Sequence, residues 1–230
     1  MAEFLLRWVH LLAGITWIGL LYYFNFVQGP FFAETDASTK SAATQKLVPR
    51  ALWWFRWAAM FTFLSGVLII GKRLGESPLG AAAWSTPWAV TILSGGLLGT
   101  LMFLNVWLVI WPKQKIVIGS AVGAAGGGPA NPAAAAAGRR AFLASRTNVV
   151  LSVPMVFFMA AATHLPPTQV TNQTGYWAGI LLLAALLEIN ALTATTGATT
   201  KPIEKVSGVI WTGVVVGVIA WAMLRWCVSA

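Results

Sequence analysis

Acidic side chains and thiols are scarce in this chain. Six Asp and Glu stand against fifteen Lys and Arg, a net charge of +9, and charged residues fill only 9% of 230 positions. The single cysteine, Cys227, excludes an intrachain disulfide framework and a thiolate metal cluster. No CxxCH occurs, which excludes covalent attachment of a c-type haem within the sequence. There is no tract of five or more basic residues, so the positive charge is not the footprint of a nucleic-acid-binding patch. Histidine is limited to His10 and His164.

Apolar residues are what the chain has in excess. Hydrophobic residues make up 58% of it and there are thirteen Trp, far too apolar a mixture for a soluble domain of this length. A helix needs about 20 apolar residues to cross a hydrocarbon core of roughly 30 Å. Windows of that size fall at approximately Phe4 to Gln28, Ala51 to Ile70, Pro87 to Trp111, Ala141 to Thr163, Tyr176 to Thr196 and Val206 to Trp226. Lipid offers the backbone no hydrogen-bond partner, and these windows lack the period-2 alternation of a membrane barrel. The expected fold is therefore all-α, a polytopic bundle of about six transmembrane helices forming one membrane domain over residues 1–230. The first window has no clear basic region and no small-residue cleavage site, so it is expected to be retained as a span.

Charge sets the expected orientation. Lys40, Lys46, Arg50, Lys113, Lys115, Arg139, Arg140, Lys201 and Lys205 lie in or beside the odd-numbered loops, whereas Arg7, Lys72, Arg73 and Arg225 lie at the other face. The positive-inside rule puts the odd loops in the cytoplasm and both termini on the outer, periplasmic side. The first loop contains "DAST", which suits the cap of a short interfacial helix, a plain solvated loop being the alternative. The third, "GSAVGAAGGGPANPAAAAAG", lacks the strand–turn–helix setting of a nucleotide site and reads as a flexible cytoplasmic linker over about residues 118–138. The fourth carries Pro166 and Pro167, which are expected to end the fourth helix.

Polar side chains inside the apolar windows call for a functional reading, since each costs several kcal/mol in hydrocarbon unless paired. They form two layers. His10 lies roughly 5 to 10 Å below the outer face at 1.5 Å per residue, and His164 is expected at the same face. Arg56, Asn105, Arg146, Asn148, Glu188 and Asn190 gather towards the cytoplasm, with Arg56 or Arg146 the expected counter-ion of Glu188, the sole intramembrane acid.

Two histidines near one face point to a b-type haem, for which imidazole is the usual axial ligand. Ala13 and Gly14 share the His10 face and leave room for a flat ring, Trp17 continues that face, and Met159 is a second candidate ligand beside His164. The alternative is that His10 hydrogen-bonds to a neighbouring helix and His164 is an ordinary interfacial residue. Arg56, Asn105, Arg146 and Glu188 are the candidate catalytic set, lining a polar cavity for a substrate, a quinone head or a proton path; the alternative is a structural ion-pair network. Trp8, Trp53, Trp54, Trp57, Trp84, Trp88, Trp107, Trp111 and Trp226 lie near window ends, as an aromatic belt does.

"RWVHLLAGITWIGLLYYFNFVQ", "NVWLVIWPKQKIVIG" and "SRTNVVLSVPMVFFMAAATH" together resemble the membrane domain of the cytochrome-c-linked urate oxidases, also called urate hydroxylases. His10, Asn105, Trp107, Arg146, Asn148, Pro154 and His164 match recurrent residues of those blocks. The resemblance implies a multi-helix domain of the bacterial inner membrane followed by a c-type cytochrome on the outer side. As this sequence holds no CxxCH, it implies that electrons pass to a separate c-type cytochrome. The first window also resembles the histidine-bearing first helix of the bacterial membrane protoporphyrinogen oxidases, which bears on His10 as a haem ligand.

The expected function is a haem-b-binding membrane oxidoreductase or electron-transfer subunit. A non-catalytic accessory subunit of a larger membrane complex is the alternative from a different class. A transporter fits less well, with one intramembrane acid and no paired broken helices.

Overall fold

The computed structural model describes residues 1–165 and 169–227, and among these every regular element is helical. Six helices are long and apolar enough to cross a membrane: Ala2–Glu34, Ala37–Gly75, Pro87–Ala125, Ala134–His164, Gln173–Thr193 and Val206–Trp226. They are called the first to sixth spans below. The chain is a multi-pass membrane protein.

Several helices run well past the apolar windows that announced them. Asp36 caps the second span: its Oδ1 accepts from the backbone N–H of Ser38 and of Thr39, at 2.9 Å each. The "DAST" motif thus starts one continuous helix of 39 residues instead of a separate interfacial one. The Ser38 and Thr39 hydroxyls, which also donate to the Asp36 carboxylate, together with these backbone N–H groups hold it well below the usual carboxylate range. In the Gly, Ala and Pro tract the third span continues to Ala125 and the fourth begins at Ala134, because alanine is the best helix former. Only residues 126–133 connect them. The fourth span ends at His164 and Leu165. Pro166 and Pro167 lie outside the described residues.

Neighbouring spans alternate in direction. His10 meets Thr62 while Phe24 meets Phe55, so the first two run antiparallel. The fourth and sixth run parallel: Gly213 lies against Val150 and Val153, and Gly217 against Pro154. The fourth is the spine of the bundle. Of its apolar window 67% is buried inside the protein, against 11% for the first span and 22% for the fifth and the sixth. Close approaches to this spine rest on glycine. A Cβ added at Gly95 of the third span would lie 3.2 Å from the Met155 carbonyl oxygen, and one at Gly213 would lie 2.8 Å from Val153 Cγ2.

Two spans contain a wide π-helical turn, Tyr23–Gln28 in the first and Asn105–Ile110 in the third. Side-chain amides serve carbonyls at the entry of both. Asn25 Nδ2 donates to the Leu21 carbonyl at 2.8 Å, and Asn148 Nδ2 donates to the Met102 carbonyl at 3.0 Å. Without such donors a disturbed helical ladder would leave polar groups unsatisfied in lipid.

Candidate functional site

The principal cavity, of about 890 Å³, lies among the first four spans and the fifth, towards the end of the bundle that carries Ala2. That is near the upper end of the roughly 300–1,000 Å³ common for ligand sites. Its wall is almost wholly apolar, and glycines thin it: Gly14, Gly66, Gly96 and Gly99 all line it. His10, Trp17, Met155 and Met159 line it too.

His10 is held in a defined orientation. Its Nδ1 lies 2.9 Å from the Thr62 carbonyl and 3.2 Å from Ser65 Oγ on the second span. A carbonyl can only accept, so Nδ1 carries the proton and donates it to Thr62. Among the described residues nothing engages the Nε2 lone pair. Metal-ligating imidazoles are usually oriented this way, by donating the other ring N–H to a carbonyl or carboxylate. Gly66 makes the arrangement possible: a Cβ there would stand 3.0 Å from His10 Cε1 and 3.4 Å from Nδ1. Thr62, Ser65 and Gly66 escaped the sequence reading, because hydroxyls and glycine in an apolar run look like ordinary helix-packing residues. The signal was their spacing, which puts Thr62, Ser65 and Gly66 on one stripe.

His10, Gly14, Trp17 and Met159 thus converge on one cavity. His164 does not join them; it is exposed at the end of the fourth span, just over one turn beyond Met159, and is not among the lining residues.

The candidate polar set divides. Asn105 Nδ2 donates to Asn148 Oδ1 and to Glu188 Oε1, at 2.9 Å each, binding the third, fourth and fifth spans together. The expected ion pair of Glu188 with Arg56 or Arg146 is absent: among the described residues, the acid's hydrogen-bond partner is this amide and neither arginine is within 4.0 Å. Arg56 instead stacks on aromatic rings, 4.0 Å from the Trp111 centroid and 5.9 Å from that of Trp107. Such cation–π contacts hold a charge against an apolar wall without an acid. Arg146 is 4% exposed, lies 5.0 Å from the Phe142 ring, and has Nε and Nη1 buried without a partner. Asn190 ties the end of the fifth span to the Thr199 carbonyl, at 3.3 Å.

Near the start of the fourth span Arg139 reaches Glu204, which lies between the fifth and sixth spans, with Nη2 to Oε1 at 2.5 Å, and its hydrogen bond holds the Glu204 carboxyl below the usual range. Arg140 donates to the Ala191 and Ala194 carbonyls at 2.7 and 2.9 Å, closing the end of the fifth span.

The family model described as urate oxidase N-terminal matches residues 79–225, more than half of the chain. The chain belongs to the urate oxidase N-terminal family. The matched stretch takes in the third to sixth spans, and with them the Asn105–Asn148–Glu188 cluster of this family member; His10 and the second span lie before it. No curated protein and no solved structure matches the chain.

Proposed function

We propose that this member of the urate oxidase N-terminal family is a haem-b-binding membrane oxidoreductase or electron-transfer subunit of the bacterial inner membrane. In this reading both termini face the periplasm and electrons leave to a separate c-type cytochrome. The observation that carries it is His10: an imidazole whose Nδ1 is engaged by the Thr62 carbonyl and whose other nitrogen is free, on the wall of an apolar cavity of about 890 Å³.

The donor set suits a macrocycle better than a bare ion. Among the described residues no group of three or more His, Cys, Asp or Glu could hold a metal ion by itself. A single oriented imidazole in a glycine-thinned apolar slot is what a flat, hydrophobic ring bearing its own iron requires. His10 would hold the iron, Gly14, Trp17 and Gly66 would flank the ring, and Met159, which lines the same cavity, is the candidate second ligand. His164 would contribute at the outer surface, towards the cytochrome. Bound there, haem supplies one-electron storage at the periplasmic side of the membrane.

The protein's own groups do the rest. Thr62 and Ser65 fix the imidazole, which limits reorganisation during electron transfer, and the apolar wall keeps water from the ring. The half-buried Glu188, oriented by Asn105, can take up or release a proton on its carboxyl oxygens. Arg56 and Arg146 would then favour an electron-rich substrate of the urate class over a neutral one. Oxidation of such a substrate liberates protons together with electrons, so a protonatable group inside the bundle belongs with this chemistry.

A visible spectrum of the purified protein tests the proposal. Soret and alpha bands of b type are expected, with loss of the bound pigment in His10→Ala at unchanged helix content. A folded preparation with no such bands overturns it, and pigment retained by His10→Ala removes that residue as the ligand.

A further inference from the structure

A second, smaller chamber of about 120 Å³ lies in the other half of the bundle, walled by the first four spans. It is unlike the principal cavity because polar side chains converge on it: Asn25, Gln28, Gln114 and Ser145. Its setting is unusual as well. Both π-helical turns border it, the first through Phe24, Asn25 and Gln28 and the third-span turn through Ile110. Such wide turns cost regular hydrogen bonding and cluster at functional sites.

Two amide oxygens of the chamber wall are open to a donor. Asn25 Nδ2 is occupied by the Leu21 carbonyl and by Ser145 Oγ, at 2.8 Å each, so the Asn25 side chain has its carbonyl oxygen left to offer. Gln28 Oε1 is buried and has no partner. An unpartnered amide oxygen in a membrane interior costs about 1–3 kcal/mol, which a bound donor would relieve. Among the described residues no charged side chain lines the chamber, which suits a neutral donor. At about 30 Å³ per water, 120 Å³ accommodates a cluster of roughly four molecules. One end is half-open at Gln28, Gln114 and Gly138; the other is closed by Asn25, Leu52 and Phe55, which are 1–4% exposed.

The fourth span continues from this chamber to the principal cavity. Ala141 and Ser145 line the chamber, Asn148 meets Asn105, which meets Glu188, Ser152 shares a 2.9 Å hydrogen bond with Tyr22, and Met155 and Met159 line the cavity. Those fourth-span positions follow one another at intervals of four and three, so they form a single face of the helix. From Ser145 to Ser152 is about 10 Å at 1.5 Å per residue.

We infer that the small chamber is a water-holding inlet open at the cytoplasmic end of the bundle, through which the half-buried Glu188, held by the buried Asn105 and Asn148, exchanges protons with that side. Glu188 and the Tyr22 and Ser152 hydroxyls are the groups along the stripe and beside it that give and take protons; Asn105, itself bonded to Asn148, holds Glu188, and Asn25 holds Ser145. Its use in delivering or removing protons for the cavity around His10 rests on the proposed function, whereas the hydrated inlet itself does not.

Radiolytic hydroxyl-radical labelling of the unmodified protein in membranes tests the inlet, since it marks rings that adjoin water regardless of surface exposure. Phe55 and Phe158 are 1% and 0% exposed, and only Phe55 lines the chamber. Phe55 is expected to be hydroxylated several-fold faster than Phe158; equal rates overturn the inference. Orientation is read with silver ion on Ala141→Cys and Ser145→Cys in a Cys227→Ser background, against Leu143→Cys and Val149→Cys, whose positions are buried away from the chamber. The first pair is expected to react at least tenfold faster, and only when silver is applied from the cytoplasmic face of sided vesicles. Reaction from the periplasmic face alone, or equal rates in all four, sinks the proposal. A protein without haem that shows the labelling pattern keeps the inlet and loses the redox reading; a haem protein without the pattern does the reverse.

Discussion

Replacing Gly66 by alanine separates the packing of His10 from every other property of the second span. An alanine Cβ would stand 3.0 Å from His10 Cε1 and 3.4 Å from Nδ1, closer than neighbouring carbons normally approach. The imidazole must give way by a few tenths of an ångström, and that movement pulls Nδ1 from the Thr62 carbonyl at 2.9 Å. Overpacking of this kind costs about 1–3 kcal/mol, and glycine to alanine in a helix interior returns about 1 kcal/mol. The net expectation is destabilisation of about 0–2 kcal/mol. Gly71 supplies the control: it lies in the same helix and lines the same cavity, yet a Cβ there meets nothing within 4 Å. Gly71→Ala should therefore stabilise, by about 0.5–1 kcal/mol. The difference between the two variants, about 1–3 kcal/mol, isolates the clash, because the helix-propensity gain is shared. Thermal unfolding of both in one detergent gives the stability difference, and titration with haem gives the functional one. Weakened haem binding in Gly66→Ala and unchanged binding in Gly71→Ala are expected. Equal stability and equal haem affinity in the two would refute the argument that the second-span backbone positions the ring.

Asn105→Ala removes the donor to both Asn148 and Glu188 and should cost about 1–3 kcal/mol for the buried Asn148 acceptor and less for the half-buried Glu188, read by denaturation midpoint; Asn105→Leu, which fills the space, should not recover it. Tyr176→Phe deletes the hydroxyl that bonds Ser94 at 2.6 Å and should lower stability by about 0.5–1.5 kcal/mol, with no effect on haem content. Glu204 is held below its usual range by Arg139, so its contribution is present above the unfolded carboxylate pKa and is lost as pH falls through the folded value. Glu204→Gln should therefore narrow the stability gap to the parent protein in acid and show about 0.2–1 kcal/mol of loss at neutral pH.

Composition and periodicity alone were enough to read six spans, because a helix in lipid must satisfy its own backbone and needs a fixed length of apolar sequence to do so. The boundaries were less legible. The second and third spans extend well past their apolar windows, since alanine-rich and capped polar segments also favour helix once a span has nucleated it. That His10, Gly14, Trp17 and Met159 share one cavity was legible from their face on the helix and their chemistry, whereas His164, grouped with them, lies outside its lining. Thr62, Ser65 and Gly66 were not legible, because what they do depends on which stripe of the second span meets the first.

The polar residues show the same division. That Asn105, Asn148, Glu188, Arg56 and Arg146 lie inside the membrane follows from sequence, as does the cost of leaving them alone. Which of them meet does not, for opposite charges in one layer need not be partners. The structure gives Glu188 to an amide and Arg56 to indole rings, because the faces on which these helices meet put Asn105 opposite the acid and Trp111 beside the guanidinium. Likewise the polar stripe from Ala141 to Met159 can be written down from the sequence, but a stripe becomes a route only when cavities lie at both of its ends. Sequence determined which side chains had to be satisfied inside the bilayer; tertiary packing, by fixing the rotation of each helix about its axis, decided what satisfies them.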